Sequence, residues 1–248
     1  MDLFYTPSDR IDLSGGALTV EGEEFFHITK VLRKKEREVI HITDGMGLSV
    51  TAEITKIGRN GLTAAVTEKK KVLPPSAEVT VALSLLKSSQ RFDFFLEKAT
   101  ELGVAGIVPM ITERTVSQPK AEKRARKLER WKKVVVSAAL QTKRYHFPEI
   151  TAPLHFDAVL KREGYDSKLI AYETSSIAPD VSFFGRKVLF LVGGEGGFTG
   201  EELEMAVKKG FCEISFGHSI LRAETAGIFA VAMARAQIAA HESPEKWL

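Results

Sequence analysis

The sequence predicts a two-part α/β protein: a small β-barrel over residues 1–72, then a larger domain over residues 77–248 built on a parallel sheet. Three observations predict it. The first part carries short β-branched and apolar runs between turn signals. A charge run and a proline pair then interrupt the chain at Lys69-Lys70-Lys71-Val72-Leu73-Pro74-Pro75-Ser76, and paired prolines block a helix and break a sheet ladder. Beyond them, apolar runs of strand length alternate with segments of helical period, the pattern of a parallel sheet with ligand loops at its strand C-termini.

In order, Leu18–Val20, Glu38–Ile42, Leu48–Ile57 and Leu62–Val66 read as strands, with Asp44-Gly45 and Asn60-Gly61 as hairpin-type turns. Phe26, Ile28, Val31 and Leu32 fall at helical spacing and predict one helix over Glu23–Arg33. After the prolines, Val79–Leu85 is a strand and Phe92–Leu102 a helix closed by Gly103. Gly106–Met110 is a strand, Ala121–Thr142 a long helix, and Leu169–Tyr172 and Val188–Val192 buried strands. Glu201–Lys209 is a helix closed by Gly210, Glu213–Phe216 a short strand, and Ala226–Ala240 a last apolar helix.

Composition narrows the class. Neither a leader-like succession of basic, apolar and small residues nor an apolar run of bilayer length is found, which predicts a cytoplasmic protein without a membrane span. The single cysteine, Cys212, reads as a small buried hydrophobe. His27, His41 and His155 lack metal-ligand spacing and read as structural, so no metal is expected. Net charge is only +3, but Lys120, Lys123, Arg124, Arg126, Lys127, Arg130, Lys132 and Lys133 face just Glu122 and Glu129 in one stretch. Such a field attracts a phosphate backbone, and it is equally the pattern of a solvated helix face.

Three segments carry chemistry. Val192-Gly193-Gly194-Glu195-Gly196-Gly197-Phe198-Thr199 follows a buried strand and runs into a helix through Thr199 and Glu202, spaced as a capping box. Four glycines let a backbone approach a ligand closely, more than a plain turn needs. The spacing is neither a dinucleotide fingerprint nor a P-loop. Ser215 to Ala226 places Arg222 and Glu224 before an apolar helix, either as a charged pair beside a pocket or as helix caps. Ser137 to Pro148 offers Gln141, Arg144 and Tyr145, suited to phosphate and to an unpaired base, or to a helix C-terminus.

Taken together, five segments in order resemble one family. Leu191–Thr199 followed by Ile214–Ala226 is similar to its GPEGGF and LGxRILRxETA signatures. Lys98–Val104 with Pro109, Glu113 and Arg114 resembles its KATELGV…P…ER segment, Gln141, Arg144 and Pro148 its QxxR…P, and His27 with Val31-Leu32-Arg33 its H…VLR element. The family is the RsmE-type 16S ribosomal RNA uridine-N3 methyltransferases of the SPOUT superfamily, and the resemblance runs from Phe4 to about Gln237. The chain departs from the pattern at Gly194, where proline is usual, at His218, Ser219 and Ala223, and at Glu36, where a glycine turn is common.

The resemblance implies a PUA-like RNA-binding barrel and a C-terminal SPOUT α/β domain with a deep trefoil knot. It implies a homodimer that methylates uridine N3 at the decoding region of 16S rRNA in the assembled small subunit. S-adenosylmethionine would be held by Leu191, Val192, Gly193, Gly194, Glu195, Gly196, Gly197, Phe216, Gly217, Ile220, Leu221, Arg222, Thr225 and Ala226. The expected catalytic residues are Arg222, stabilising a uracil anion, and Glu224, positioning Arg222 or accepting the proton; the roles could also fall to Arg144 or Arg114. Arg33, Arg114, Lys123, Arg124, Lys127, Gln141 and Arg144 are expected on RNA. Two other classes stay open at this stage: a 2′-O-ribose methyltransferase of the same fold, and a non-catalytic RNA-binding assembly factor. A nucleotide-dependent enzyme ranks below both, because both phosphate loops are missing.

Overall fold

The structure, a computed structural model, describes residues 2–116, 118, 119 and 121–241, with backbone alone at 121 and 241; Lys120 of the basic run lies outside the described residues. The chain divides into two compact units. One comprises the residues up to Pro74 together with Ala139–Phe147, the other Pro75–Ala138 and the chain from Pro148 onward.

The first unit is a six-stranded sheet of β1 (Leu3–Tyr5), β2 (Ile11–Asp12), β3 (Ala17–Glu21), β4 (Val39–Thr43), β5 (Leu48–Ile57) and β6 (Gly61–Lys71). Its order is β1-β4-β5-β6-β3-β2, antiparallel except where β1 runs beside β4. Period-two alternation turns Ile40, Ile42, Val50, Ala52, Ile54, Leu62 and Ala64 inward onto Phe4, Leu18 and Val20. Register shifts at Thr51/Ala52 and Ile54/Lys56 bend the long β5–β6 ribbon. The turn at Asp44-Gly45 is held by the Asp44 carboxylate, which accepts the N–H groups of Met46 and Leu48 at 2.8 and 3.0 Å.

Two readings of this unit are corrected. Lys69–Lys71 is no linker: it is the end of β6, paired with Leu48–Val50, since three solvated lysines suit an outer strand as well as a loop. The predicted helix over Glu23–Arg33 is two short pieces, α1 (Gly22–Phe26) and a π turn over His27–Val31. The wider turn breaks the 3.6-residue rhythm, so Ile28 is buried while Phe26, Val31 and Leu32 are exposed. Ala139–Phe147 joins this unit through local pairing that linear spacing does not display. Gly47 N–H donates to the Tyr145 carbonyl and Phe147 N–H to that of Gly45, both at 2.8 Å, and the Phe147 ring lies 5.4 Å from Tyr5.

The second unit is a fully parallel sheet of β7 (Glu78–Ser84), β8 (Gly106–Ile111), β9 (Glu149–Ile150), β10 (Leu154–His155), β11 (Ser167–Ala171), β12 (Lys187–Val192) and β13 (Cys212–Ile214). Its order is β10-β8-β7-β12-β11-β13, with β9 also beside β8. The helices are α2 (Ser89–Leu102), α3 (Ala121–Gln141), α4 (Phe156–Leu160), α5 (Gly200–Lys208) and α6 (Ala223–His241). Both faces of the sheet are buried, as parallel sheets require. Val79, Val81, Leu83, Val188, Phe190 and Val192 pack with α2, α3 and α6, while Ala82, Val108, Met110, Ile170, Leu189 and Leu191 pack with α4 and α5. α2 begins at the cap of Ser88 and ends at Gly103, whose φ of 103° closes it. α2 and α6 meet at Gly227, where a Cβ would stand 2.7 Å from the Phe95 ring. Cys212, expected inside, is exposed on the sheet-edge strand β13. No helix among the described residues is long and apolar enough to cross a membrane.

Candidate functional site

The C-terminal ends of β11, β12 and β13 open into one cleft of ≈ 690 Å³, mouth included. The cleft lies at the strand ends where α/β sheets bind ligands. Two loops wall it: 193–199, between β12 and α5, and 215–222, between β13 and α6. Val192, Gly193, Gly194, Gly197 and Phe198 line one side, and Phe216, Gly217, Ile220, Leu221, Ala223 and Ala226 the other. Tyr172 and Glu173, at the end of β11, and Ser215, His218 and Ser219 add polar groups. The arrangement suits a ligand with a flat apolar ring system and polar ends, approached closely by glycine backbone. Those are the features of S-adenosylmethionine, so the residues present fit that molecule.

The glycine loop is tightly supported. Gly197 has φ 63°, and Gly194 pairs with Gly197 across the turn. Beneath it, the hydroxyls of Ser84, Thr112 and Thr115 bond one another at 2.9 to 3.0 Å, and a Cβ on Gly194 would stand 3.2 Å from Ser84 Oγ. Thr199 and Glu202 form the capping box. Glu202, only 3% exposed, accepts the N–H groups of Thr199 and Glu113 at 3.0 and 2.9 Å, which stabilises a buried carboxylate. Arg114 Nη1 donates to the carbonyls of Gly196 and Phe198 at 2.7 and 3.3 Å. The guanidinium expected on RNA is thus bound to the loop.

Glu224 is 6% exposed at the start of α6. Its partner is Arg91 of α2, with Nε to Oε1 at 2.7 Å and Nη2 to Oε2 at 2.5 Å. Nη1 of the same guanidinium reaches Glu195 Oε1 at 3.1 Å, and that oxygen also accepts the Lys87 N–H at 3.2 Å. Burial opposes the Glu224 charge, yet the Arg91 hydrogen bonds and the positive charges of Arg91 and Arg222 hold its carboxyl below the ordinary range. A carboxylate with both oxygens occupied and its proton affinity lowered is a poor base. Of the two roles expected of Glu224, this arrangement suits positioning better than proton acceptance.

Nine of the fourteen expected cofactor residues line the cleft: Val192, Gly193, Gly194, Gly197, Phe216, Gly217, Ile220, Leu221 and Ala226. The other five do not. Leu191 is buried within β12, Glu195 turns to Arg91, and Gly196 lies against Arg114. Arg222 and Thr225 are exposed beside the inward-facing Leu221, Ala223 and Ala226. Tyr172, Glu173 and Arg91 stand outside the expected set; Tyr172 and Glu173 follow a buried strand, the one signal that marks them. Lys123 is exposed on α3, Arg124 donates to the Pro119 carbonyl, and Lys127 lies over the Trp131 ring. Arg33, at φ 55°, and Gln141 and Arg144 belong to the first unit.

A family model described as an RNA methyltransferase domain matches residues 74–235, and one described as an RNA methyltransferase PUA domain matches residues 20–67. The chain is 30% identical over 228 residues to the ribosomal RNA small subunit methyltransferase E of Synechocystis sp., covering 88% of this chain and 73% of that protein. It is 29% identical to the protein of the same name from Bacillus subtilis, covering 86% and 87% of the two chains. Its fold matches that of a ribosomal RNA small subunit methyltransferase E from Neisseria gonorrhoeae bound to S-adenosyl methionine, with TM-score 0.83 and 30% identity over 95% and 97% of the two chains.

Proposed function

The chain belongs to the RNA methyltransferase family, and from that premise we propose that it methylates N3 of a uridine in small-subunit ribosomal RNA. The observation that carries the reading is the glycine-walled cleft at the ends of β11–β13 with Arg222 exposed at its rim. S-adenosylmethionine, the cofactor of this family, supplies an electrophilic methyl group. Val192, Phe216, Leu221, Ala223 and Ala226 would hold its apolar ring, and the backbone of Gly193, Gly194 and Gly197 its polar edge.

Uracil N3 carries a proton at neutral pH and becomes a good nucleophile only as that proton leaves. Arg222 would stabilise the negative charge that grows on the base, while Glu224 and Arg91, paired at the start of α6, would hold the segment that carries it. Exclusion of water and alignment of N3 fall to the two loops. The base must be unpaired or flipped out, since pairing hides N3. Arg33, Arg114, Lys123, Arg124, Lys127, Gln141 and Arg144 would meet the RNA backbone. The reading extends to a PUA-like barrel in the first unit, a knotted SPOUT domain in the second, a homodimer, and a cytoplasmic target in the decoding region of the assembled subunit. It is supported by the two family matches and by the names and cofactor of the relatives.

Incubating the protein and S-adenosylmethionine with small subunits lacking the modification, then digesting the RNA to nucleosides, tests the reading. N3-methyluridine is the expected product; a 2′-O-methylated nucleoside in its place would reassign the reaction. The variant Arg222→Ala is expected to bind S-adenosylmethionine normally and to lose about 10²-fold in kcat, the scale of removing one charge-stabilising donor. An unchanged kcat would remove Arg222 from the mechanism.

A further inference from the structure

We propose that Arg91 is a positioning residue for the cofactor: its one guanidinium ties the glycine loop to the start of α6, so that the two walls of the cleft are set together. The inference rests on the reading that this cleft holds S-adenosylmethionine.

Arg91 is absent from the cleft lining. It stands three residues past Ser88, the N-cap of α2, whose side chain accepts the Arg91 N–H. From there its planar fork serves two carboxylates distant in sequence, Glu224 through Nε and Nη2, and Glu195 through Nη1. Glu195 lies midway along the loop 193–199, flanked by the cleft-lining Gly194 and by Gly196. Glu224 is flanked by Ala223, which lines the opposite wall, and Ala226 follows two residues on. The walls therefore share one fastening point on a third element. That point is favoured further by the Lys87 N–H, which gives Glu195 a second donor at the positive end of α2.

The chemistry is specific to arginine. A guanidinium engages one carboxylate with two parallel bonds and still has a third edge for another, whereas a lysine ammonium is a compact point charge. With Arg91 removed, Glu224 is left as a buried charge without its partner, and Glu195 keeps only the Lys87 N–H. Each loop then settles separately, and the cofactor must bring them into register. That ordering cost appears as lost affinity.

The test measures S-adenosylmethionine affinity by calorimetry and melting by circular dichroism on the full chain. The variants are Arg91→Lys, Arg91→Met with Glu224→Gln, Glu195→Ala, and Gly193→Val as a direct block of the cleft. The Arg91→Met/Glu224→Gln pair leaves no buried charge, so its fold is expected to hold while Kd rises about tenfold, the scale of coupling through a shared network. Arg91→Lys restores part of that loss. Glu195→Ala cuts only the loop arm, since a glutamine oxygen there would still accept from Arg91 and the Lys87 N–H; it leaves the buried pair whole, and weakens binding in the wild-type background but not when added to Arg91→Met/Glu224→Gln. A wild-type Kd for Glu195→Ala, or for a folded Arg91→Met/Glu224→Gln, overturns the proposal provided Gly193→Val abolishes binding. Wild-type binding by Gly193→Val instead shows that the cofactor lies elsewhere, and then the assignment of the cleft itself falls.

Discussion

Gly193→Ala isolates what the glycine loop contributes through close packing alone. A Cβ at Gly193 would meet Gly197 Cα and carbonyl carbon at 3.0 Å, and nine in ten real Cβ neighbours stand farther off than 3.4 Å. Gly193 is not among the residues with positive φ, so the substitution carries no left-handed backbone penalty. What remains is a displacement of a few tenths of an ångström. The opposing atoms are backbone, and Gly197 sits at φ 63°, paired with Gly194 and lining the same cleft. Overpacking of this kind costs about 1–3 kcal/mol. Where the folded loop relaxes by opening, that cost returns as lost affinity, and about 1.4 kcal/mol is a factor of ten in Kd. Gly200→Ala is the matched control: it adds the same methyl at the first residue of α5, where nothing lies within 4 Å. Calorimetry with S-adenosylmethionine is expected to show Kd raised about tenfold for Gly193→Ala and unchanged for Gly200→Ala. Equal affinity in both variants, with equal melting temperatures, would refute the claim that backbone packing across the loop shapes the site.

Acid and salt test two other parts of the molecule. The Glu224 carboxyl is held below its ordinary range although burial opposes its charge, because Arg91 bonds it and Arg91 and Arg222 attract it. Its stabilising contribution is therefore complete above the ordinary glutamate pKa of about 4.3 and is lost as pH falls through the lowered value. Melting temperature followed from pH 7 downward should drop over that window, and Glu224→Gln should flatten the drop; an unaltered acid limb would separate Glu224 from stability. On α3, Lys123→Ala with Lys127→Ala should reduce the slope of log affinity for RNA against log salt by about 0.7–0.9 for each phosphate that is no longer neutralised. Arg130→Ala and Lys132→Ala should change it less, because those cations are paired with Asp93 and Glu129. The reverse ranking would place the RNA on another face.

The parts of this protein legible in the sequence are those governed by short-range rules. Gly103 ends α2 because only a residue without a side chain takes φ 103° readily, and Thr199 and Glu202 cap α5 because three residues separate them. The buried strands β7, β8, β11 and β12 announce themselves as apolar runs. Long-range partners are not legible in this way. Arg91 is one arginine among many in the sequence, and its importance comes from Glu195 and Glu224, which stand 104 and 133 residues away. Arg114 is similar: family likeness marks it for RNA, and only the fold shows that its Nη1 donates to the Gly196 and Phe198 carbonyls. The helix expected over Glu23–Arg33 failed for a local reason, since one π turn is enough to rotate an apolar face away from the core.

In the proposed scheme the start of α6 would serve two ligands of opposite character. Leu221, Ala223 and Ala226 face the cleft, while Arg222 and Thr225 between them face outward. The inward set is apolar and small, so it recognises shape and excludes water; the outward set is polar, so it can meet a substrate that arrives from solution. A long charged side chain inside the cleft would have to be desolvated and paired on cofactor binding. At the rim, Arg222 is exposed, and in the proposed scheme it would keep its hydration until the acceptor base displaced it. Glu224 could not be replaced freely in this arrangement even though it touches neither ligand in the proposed scheme. It lies between the two sets, buried, and its ion pair with Arg91 fixes the rotation of the helix start that sends residues 221 and 223 inward and residue 222 outward.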